Sequence, residues 1–247
     1  MTTTRSVFFV ACAALLAGAA SAAPDDARDP LEPVNRRVEA VNHRVDGAVL
    51  RPVARAYEHA LPSLVRRGVS NFFANLGDVW SAANSALQLK PGDAAQNGMR
   101  FAVNTGFGLG GLLDIATDAG IERHKEDFGT TLAYWGVPPG PYLVLPLLGP
   151  STLRDTFALP VDWIGNPIGQ ISSVAGRNAI AAVGAVDVRA RLLPLDGLMD
   201  QAFDRYTMMR DAYLQHRDAQ VQPDDLAGGA AADPVAVEGS MPAEVRQ

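Results

Sequence analysis

Apolar residues in this chain recur at helical spacing far more often than at strand spacing. Val34, Val38, Val41 and Val45 stand four, three and four positions apart, beside Asn35, Arg36, Arg37, Asn42 and Arg44. That pattern predicts one amphipathic helix with a valine stripe, entered through the turn Asp29-Pro30-Leu31-Glu32-Pro33. A second helix is expected from Pro52 to His59, opened by a proline in the tolerated first turn. From Pro62 to about Leu89 the chain again reads as helix, with Leu64, Val65, Val69, Phe72, Phe73, Leu76 and Val79 on its apolar side. Pro91-Gly92-Asp93 punctuates and caps the next helix, Ala94 to Val103.

Nearer the C-terminus, Ile180, Val183, Val186, Ala190 and Leu193 form one helical face, and Pro194 ends it. Met199, Ala202, Phe203, Tyr206, Met209 and Tyr213 form the face of the next. No segment alternates apolar and polar residues long enough to define a sheet, although Leu143-Val144-Leu145 has the makings of a short hairpin arm. No internal repeat is visible. The expected fold is therefore all-α, a single domain of short and broken helices.

The periodicity fails in the middle of the chain. Between Asp127 and Arg154 lie 26 uncharged residues, and from Phe128 to Gly176 the only charged side chains are Arg154, Asp155 and Asp162. Length alone allows a transmembrane helix, which needs about 20 apolar residues. Gly136, Pro138, Pro139, Gly140, Pro141, Pro146, Gly149 and Pro150 would break it repeatedly, and broken backbone facing lipid leaves polar groups unsatisfied. Two readings stay open: a loop-rich hydrophobic core, or short broken helices and a loop lying in one leaflet. In the second, Trp135, Tyr142 and Trp163 sit near the headgroups. A core in a water-soluble protein needs charged outer faces, and this stretch supplies almost none.

The ends add the compartment. MTTTRSVFFVACAALLAGAASAA has a short basic start, an apolar stretch and a small-residue run, the pattern of a secretory signal peptide. Cleavage after Ala22 fits Ala20-Ser21-Ala22 and removes Cys12, the only cysteine. The competing reading is lipidation at Cys12, since Val10-Ala11-Cys12 is most of a lipoprotein box. Phe9 stands there in place of an aliphatic residue, and the apolar run before it is short. Loss of residues 1–22 takes Arg5 and no acid, moving the net charge from −6 to −7, which gives no electrostatic case for nucleic acid. A short linker, 23–28, then leads to a domain spanning 29–217. Residues 218–247, rich in Asp, Ala, Gly and Pro and without aromatics, are expected to be a disordered acidic tail.

Motifs for catalysis are weak. Gly106-Phe107-Gly108-Leu109-Gly110-Gly111 satisfies G-x-G-x-x-G, but a helix precedes it where a dinucleotide site needs a strand. The expected role is a glycine-permitted break. His43, His59, His124 and His216 have no ligand spacing, and the run Glu122 to Asp127 reads as a solvated turn. No serine occupies a nucleophile elbow. Neither a cofactor nor a metal is expected. Arg154-Asp155, flanked by apolar residues, reads as a structural ion pair, or alternatively as an arginine that meets a phosphate headgroup.

The chain resembles the MlaA (VacJ) family of Gram-negative outer-membrane proteins. The matching residues include Asp29-Pro30-Leu31-Glu32 with Asn35-Arg36, Leu50-Arg51-Pro52-Val53, Gly68 to Leu76, Asn104-Thr105-Gly106 and Glu126 to Leu132. They continue through Trp135-Gly136-Val137, Gly140 to Pro146, Gly149-Pro150-Ser151, Arg154-Asp155, Arg189, Asp204, Tyr206 and Arg210 to Tyr213, in order over about 185 residues. The resemblance implies a helical ring in the inner leaflet of the outer membrane around an amphipathic channel. Its implied task is to remove phospholipid misplaced in the outer leaflet and pass it to a soluble periplasmic carrier, beside a trimeric porin and without catalysis. It also implies a channel-access loop, carried onto Gly136, Gly140, Pro141, Tyr142, Leu143, Val144, Leu145, Pro146 and Gly149. The sequence departs from the family at the poorly placed Cys12 and in a first helix poor in aromatics. The alternative function is an adaptor that binds a porin or peptidoglycan partner without moving lipid.

Overall fold

The structure, a computed structural model, describes residues 29–221. The signal peptide with Cys12, the linker up to residue 28 and most of the expected tail lie outside the described residues.

Helix α1 (Glu32–Val45) passes through a π-helical turn (Asp46–Leu50) directly into α2 (Arg51–Ala60). Pro52 sits in the first turn of α2, where its missing N–H costs no hydrogen bond. Extended Pro62 then redirects the chain into α3 (Ser63–Leu87). A three-residue turn with Leu89 at φ 58° leads back along α4 (Pro91–Gly106), making a helical hairpin. Next come α5 (Ile115–Asp118), α6 (Phe128–Tyr134), strands β1 (Tyr142–Leu145) and β2 (Gly149–Thr152), and α7 (Leu153–Gly165). A 3-10 turn (Pro167–Gln170) precedes α8 (Val174–Leu192), a second one contains Pro194, and α9 (Asp196–Gln201) and α10 (Arg205–Val221) follow. The chain is mainly helical, as its periodicity predicts, and the hairpin arm at 143–145 forms. Residues 218–221, at the start of the expected tail, are the last turn of α10.

The short helices are held by their ends. Asp127 caps α6 in a reciprocal box with Thr130, Thr152 accepts from the Asp155 amide at 3.2 Å to start α7, and Ser173 starts α8. The expected single helix over 199–213 is two helices. Asp204 is the reason: its carboxylate accepts from the Tyr206 and Thr207 amides at 3.0 and 3.3 Å, which fixes a new helix start and leaves Phe203 fully exposed. The last helix then closes against the first, through Arg36–Asp204, Arg205–Glu39 and the Tyr206 hydroxyl on Asp29.

Burial runs opposite to the usual order. The buried side chains of α3 are Asn75, Asp78, Ser81, Asn84 and Ser85, and those of α4 are Asn97, Arg100 and Asn104. Leu64, Val65, Met99, Phe107 and Leu109 are exposed. On α1 the buried residues are Asn35 and Glu39, while Val41 is half exposed. The apolar stripes are located by their spacing, but they are mostly half-buried or exposed instead of forming the core. Among the described residues, a small cluster of Tyr142, Val144 and Tyr206, with Val38, Tyr213 and Leu214 against it, resembles an ordinary core. No described helix is long and apolar enough to cross a membrane.

Candidate functional site

The interior polar residues form a continuous network between the α3–α4 hairpin and the loop that follows it. Asn97 donates to the His124 carbonyl at 2.7 Å and accepts from the His124 amide at 3.1 Å. Asn104 does the same between Asp114 and the Ala116 amide. Buried Arg100 bonds the Asp114 carboxylate at 2.7 Å and also reaches the Ile121 carbonyl, while Asp78 pairs with Arg123 at 2.8 Å. Gln88 donates to Glu126 and Thr131 at 2.9 and 3.1 Å. The charged run 122–127, expected to be a solvated turn, is instead sewn into this network, because each helix offers amides and charges that only a loop backbone can satisfy. The glycine run at 106–111 contributes close packing: a Cβ on Gly108 would lie 2.3 Å from the Leu113 carbonyl oxygen, and one on Gly111 (φ 93°) 2.5 Å from Asn75. That is a structural role, and no strand precedes the run.

The β1–β2 hairpin is the second part of the site. Leu145 pairs with Gly149 around a loop of Pro146, Leu147 and Leu148, with Leu147 at φ 65° and Gly149 at φ 85°. Gly136 (φ 86°) and Gly140 (φ 66°) turn the chain before it. Pro139 and Pro141 accept from the Arg154 and Leu153 amides at 3.0 Å, fastening the approach to α7. Tyr142 and Val144 point inward, Leu143, Leu145 and Pro146 are half-buried, and Leu147 and Leu148 are exposed at the tip. Tyr142 is therefore no headgroup-level aromatic. It is fully buried between Tyr206 and Tyr213, and burial raises its pKa. Trp135 and Trp163 are exposed.

Two side chains of α1 fill the outer edge of β1. Asn35 donates to the Tyr142 carbonyl at 3.0 Å and accepts from the Val144 amide at 2.9 Å. Asn42 repeats the pattern on the Leu145 carbonyl and the Leu147 amide, at 2.9 and 2.8 Å. Sequence reasoning placed both residues on the polar side of α1 without a role; an Asn pair seven apart was the available signal.

Arg154 and Asp155 form the structural ion pair, 3.0 Å apart and both buried. The larger partner came from far away in sequence. Arg217 of α10 bonds Asp155 at 2.9 and 3.0 Å and Asp127 at 2.6 and 2.7 Å, while the Tyr213 hydroxyl donates to Asp155 at 2.9 Å. Burial pushes the Asp155 carboxyl up, but Arg217 and then Arg154 outweigh it, so its pKa lies below the ordinary value. Asp127, Asp155, Tyr213 and Arg217 line a cleft of about 260 Å³ together with Leu145, Leu148, Pro150 and Leu159. Among the described residues no group of histidines and acids is arranged to hold a metal.

The cleft is thus lined by charged and apolar side chains together, beside an exposed apolar hairpin tip. The MlaA lipoprotein family model matches residues 27–220. The chain belongs to the MlaA family. The protein named "Intermembrane phospholipid transport system lipoprotein MlaA" in Escherichia coli strain K12 is 36% identical over 217 residues, covering 83% of each chain. The protein of the same name in Haemophilus influenzae is 32% identical over 210 residues, covering 80% of this chain and 81% of its own. A solved structure described as "Structural basis for maintenance of bacterial outer membrane lipid asymmetry" superposes with a TM-score of 0.70 at 36% identity, covering 78% of this chain and 98% of its own. The MlaA resemblance in the sequence and the all-helical fold it implied therefore hold.

Proposed function

We propose that this chain moves phospholipid between membranes of a Gram-negative envelope, as the names of its MlaA relatives state for those proteins. It sits in the inner leaflet of the outer membrane, takes phospholipid misplaced in the outer leaflet, and delivers it to a soluble periplasmic carrier beside a trimeric porin. The observation that carries the reading is the inverted burial: amides and charges inside, and Phe107, Phe157, Trp163 and Ile164 outside. Exposed apolar surface on this scale marks a lipid or protein contact. A polar interior offers headgroups hydrogen-bond partners that hydrocarbon lacks. The chain acts as a conduit and not as an enzyme, so its partners set the direction of flow.

In this reading the hairpin controls access to the lipid path. Gly136, Gly140 and Gly149 supply its bends, Pro141 and Pro146 stiffen them, and Tyr142 and Val144 anchor it from within. Leu145 lines the cleft, and the exposed tip at Leu147 and Leu148 meets lipid tails. The test uses cells lacking the native gene. The wild-type chain is expected to restore low outer-leaflet phospholipid and detergent resistance, whereas the tip variant Leu147→Ser with Leu148→Ser, expressed to the same level, does not. Full restoration by the tip variant counts against hairpin control. An unchanged surface phospholipid level when the chain is absent favours a non-transporting adaptor.

A further inference from the structure

The cleft under the hairpin presents two charges without an ion-pair partner among the described residues. Arg217 is committed to Asp127 and Asp155, and Arg154 to Asp155, so these four groups compensate one another. Asp162 of α7 also lines the cleft but meets no cation at ion-pair distance among the described residues. One of its oxygens, Oδ1, accepts from the Trp80 indole N–H and the Phe128 amide, both at 2.8 Å; Oδ2 receives no hydrogen bond. The other charge is Lys125, exposed in the cleft lining and without a carboxylate partner among the described residues.

Building on the phospholipid reading above, we propose that this cleft selects zwitterionic headgroups carrying a terminal ammonium, with the ammonium on Asp162 Oδ2 and the phosphate on Lys125. A half-buried carboxylate with no counter-ion is unfavourable until something positive meets it. Burial, and then the neighbouring charge of Asp127, raise the Asp162 pKa, and its two hydrogen bonds and the charge of Arg217 only partly offset them. A primary ammonium supplies that charge and a donor for the free oxygen. An anionic headgroup offers Lys125 the same phosphate but nothing for Asp162, and adds negative charge beside three carboxylates. The apolar lining of Leu145, Leu148, Pro150 and Leu159 is where the first methylenes of the acyl chains lie.

The experiment uses the full mature chain in detergent, equilibrated with mixed micelles of equal phosphatidylethanolamine and phosphatidylglycerol, repurified, extracted and analysed by mass spectrometry. The wild type is expected to enrich phosphatidylethanolamine about fivefold over the input, equivalent to about 1 kcal/mol at 1.4 kcal/mol per tenfold. Asp162→Asn keeps an acceptor oxygen for Trp80 and Phe128 and removes only the charge. It is expected to bind as much total lipid with the ratio returned to that of the input. A wild-type ratio equal to the input overturns the proposal whether or not the variant folds, as does a folded Asp162→Asn that keeps the wild-type preference. Bound lipid without preference leaves the transport reading standing. Absence of lipid from the wild type overturns both.

Discussion

Arg217 shows how much a single buried side chain carries here. It reaches two carboxylates because Gly129 lies beneath it: a Cβ there would sit 2.4 Å from both the guanidinium and Asp155. The pairs join the cap of α6, the first turn of α7 and the last helix. Removing one member of such a buried set leaves uncompensated charge and costs about 3–5 kcal/mol. Arg217→Met is therefore expected to destabilise the protein by about that amount at pH 7 in thermal or denaturant unfolding in detergent. The pH dependence follows from the depressed folded pKa of Asp155. Its stabilising contribution is present above the unfolded value of about 3.9 and is lost as pH falls through the folded one. The gap between wild type and variant should narrow below about pH 4; a gap of the same size at pH 3 and pH 7 would show that the loss is one of packing.

At the scale of elements, a helix takes the place of a third strand. Asn35 and Asn42 are seven residues apart, about 10.5 Å along a helix axis. The hairpin groups they bind are three residues apart, about 10 Å along a strand. The two rises match, so α1 covers the edge of β1 with side-chain amides and removes the hazard of an open edge. Asn35→Ala orphans a buried carbonyl and a buried amide, at about 1–3 kcal/mol each, and should sharply accelerate hydrogen exchange at the Val144 amide. Asn42 lies nearer the surface, and its replacement should cost less than about 1 kcal/mol, because water can reach the groups it leaves. Equal protection of Val144 in wild type and Asn35→Ala would mean that the hairpin is held without α1. The periodicity of α1 identified its polar face; that this face meets a strand edge depends on a partner about 107 residues away.

At the scale of the whole molecule, the solvent that the surface meets determines which stripe is buried. Phe157 and Ile164, 69% and 68% exposed, lie outward on α7. Replacing both with Asp is expected to lower association with phospholipid vesicles at least about tenfold, since a charge placed in hydrocarbon costs about 2.5–3.5 kcal/mol. Unfolding in detergent should shift by no more than about 0.5 kcal/mol per site, because neither side chain packs within the protein. Vesicle association equal to wild type would mean that this face meets another protein instead of lipid.

Several features are legible in the sequence alone, because they are properties of neighbouring residues. Helical spacing located the helices, prolines and glycines excluded a spanning helix from Phe128 to Gly176, and three branched residues at 143–145 marked the hairpin arm. The full set of partners around Arg154-Asp155 was not legible, since Arg217 and Tyr213 arrive from some sixty residues away. Nor was the break at Asp204, where a capping carboxylate held by Arg36 overrode a continuous apolar face. Periodicity reports that a helix has two faces, but the same amphipathic pattern suits a core in water and a polar interior in lipid. Only the tertiary structure, by supplying partners for Asn75, Asp78, Asn84, Asn97, Arg100 and Asn104 from the opposite helix and the following loops, decided that the polar face is the inner one.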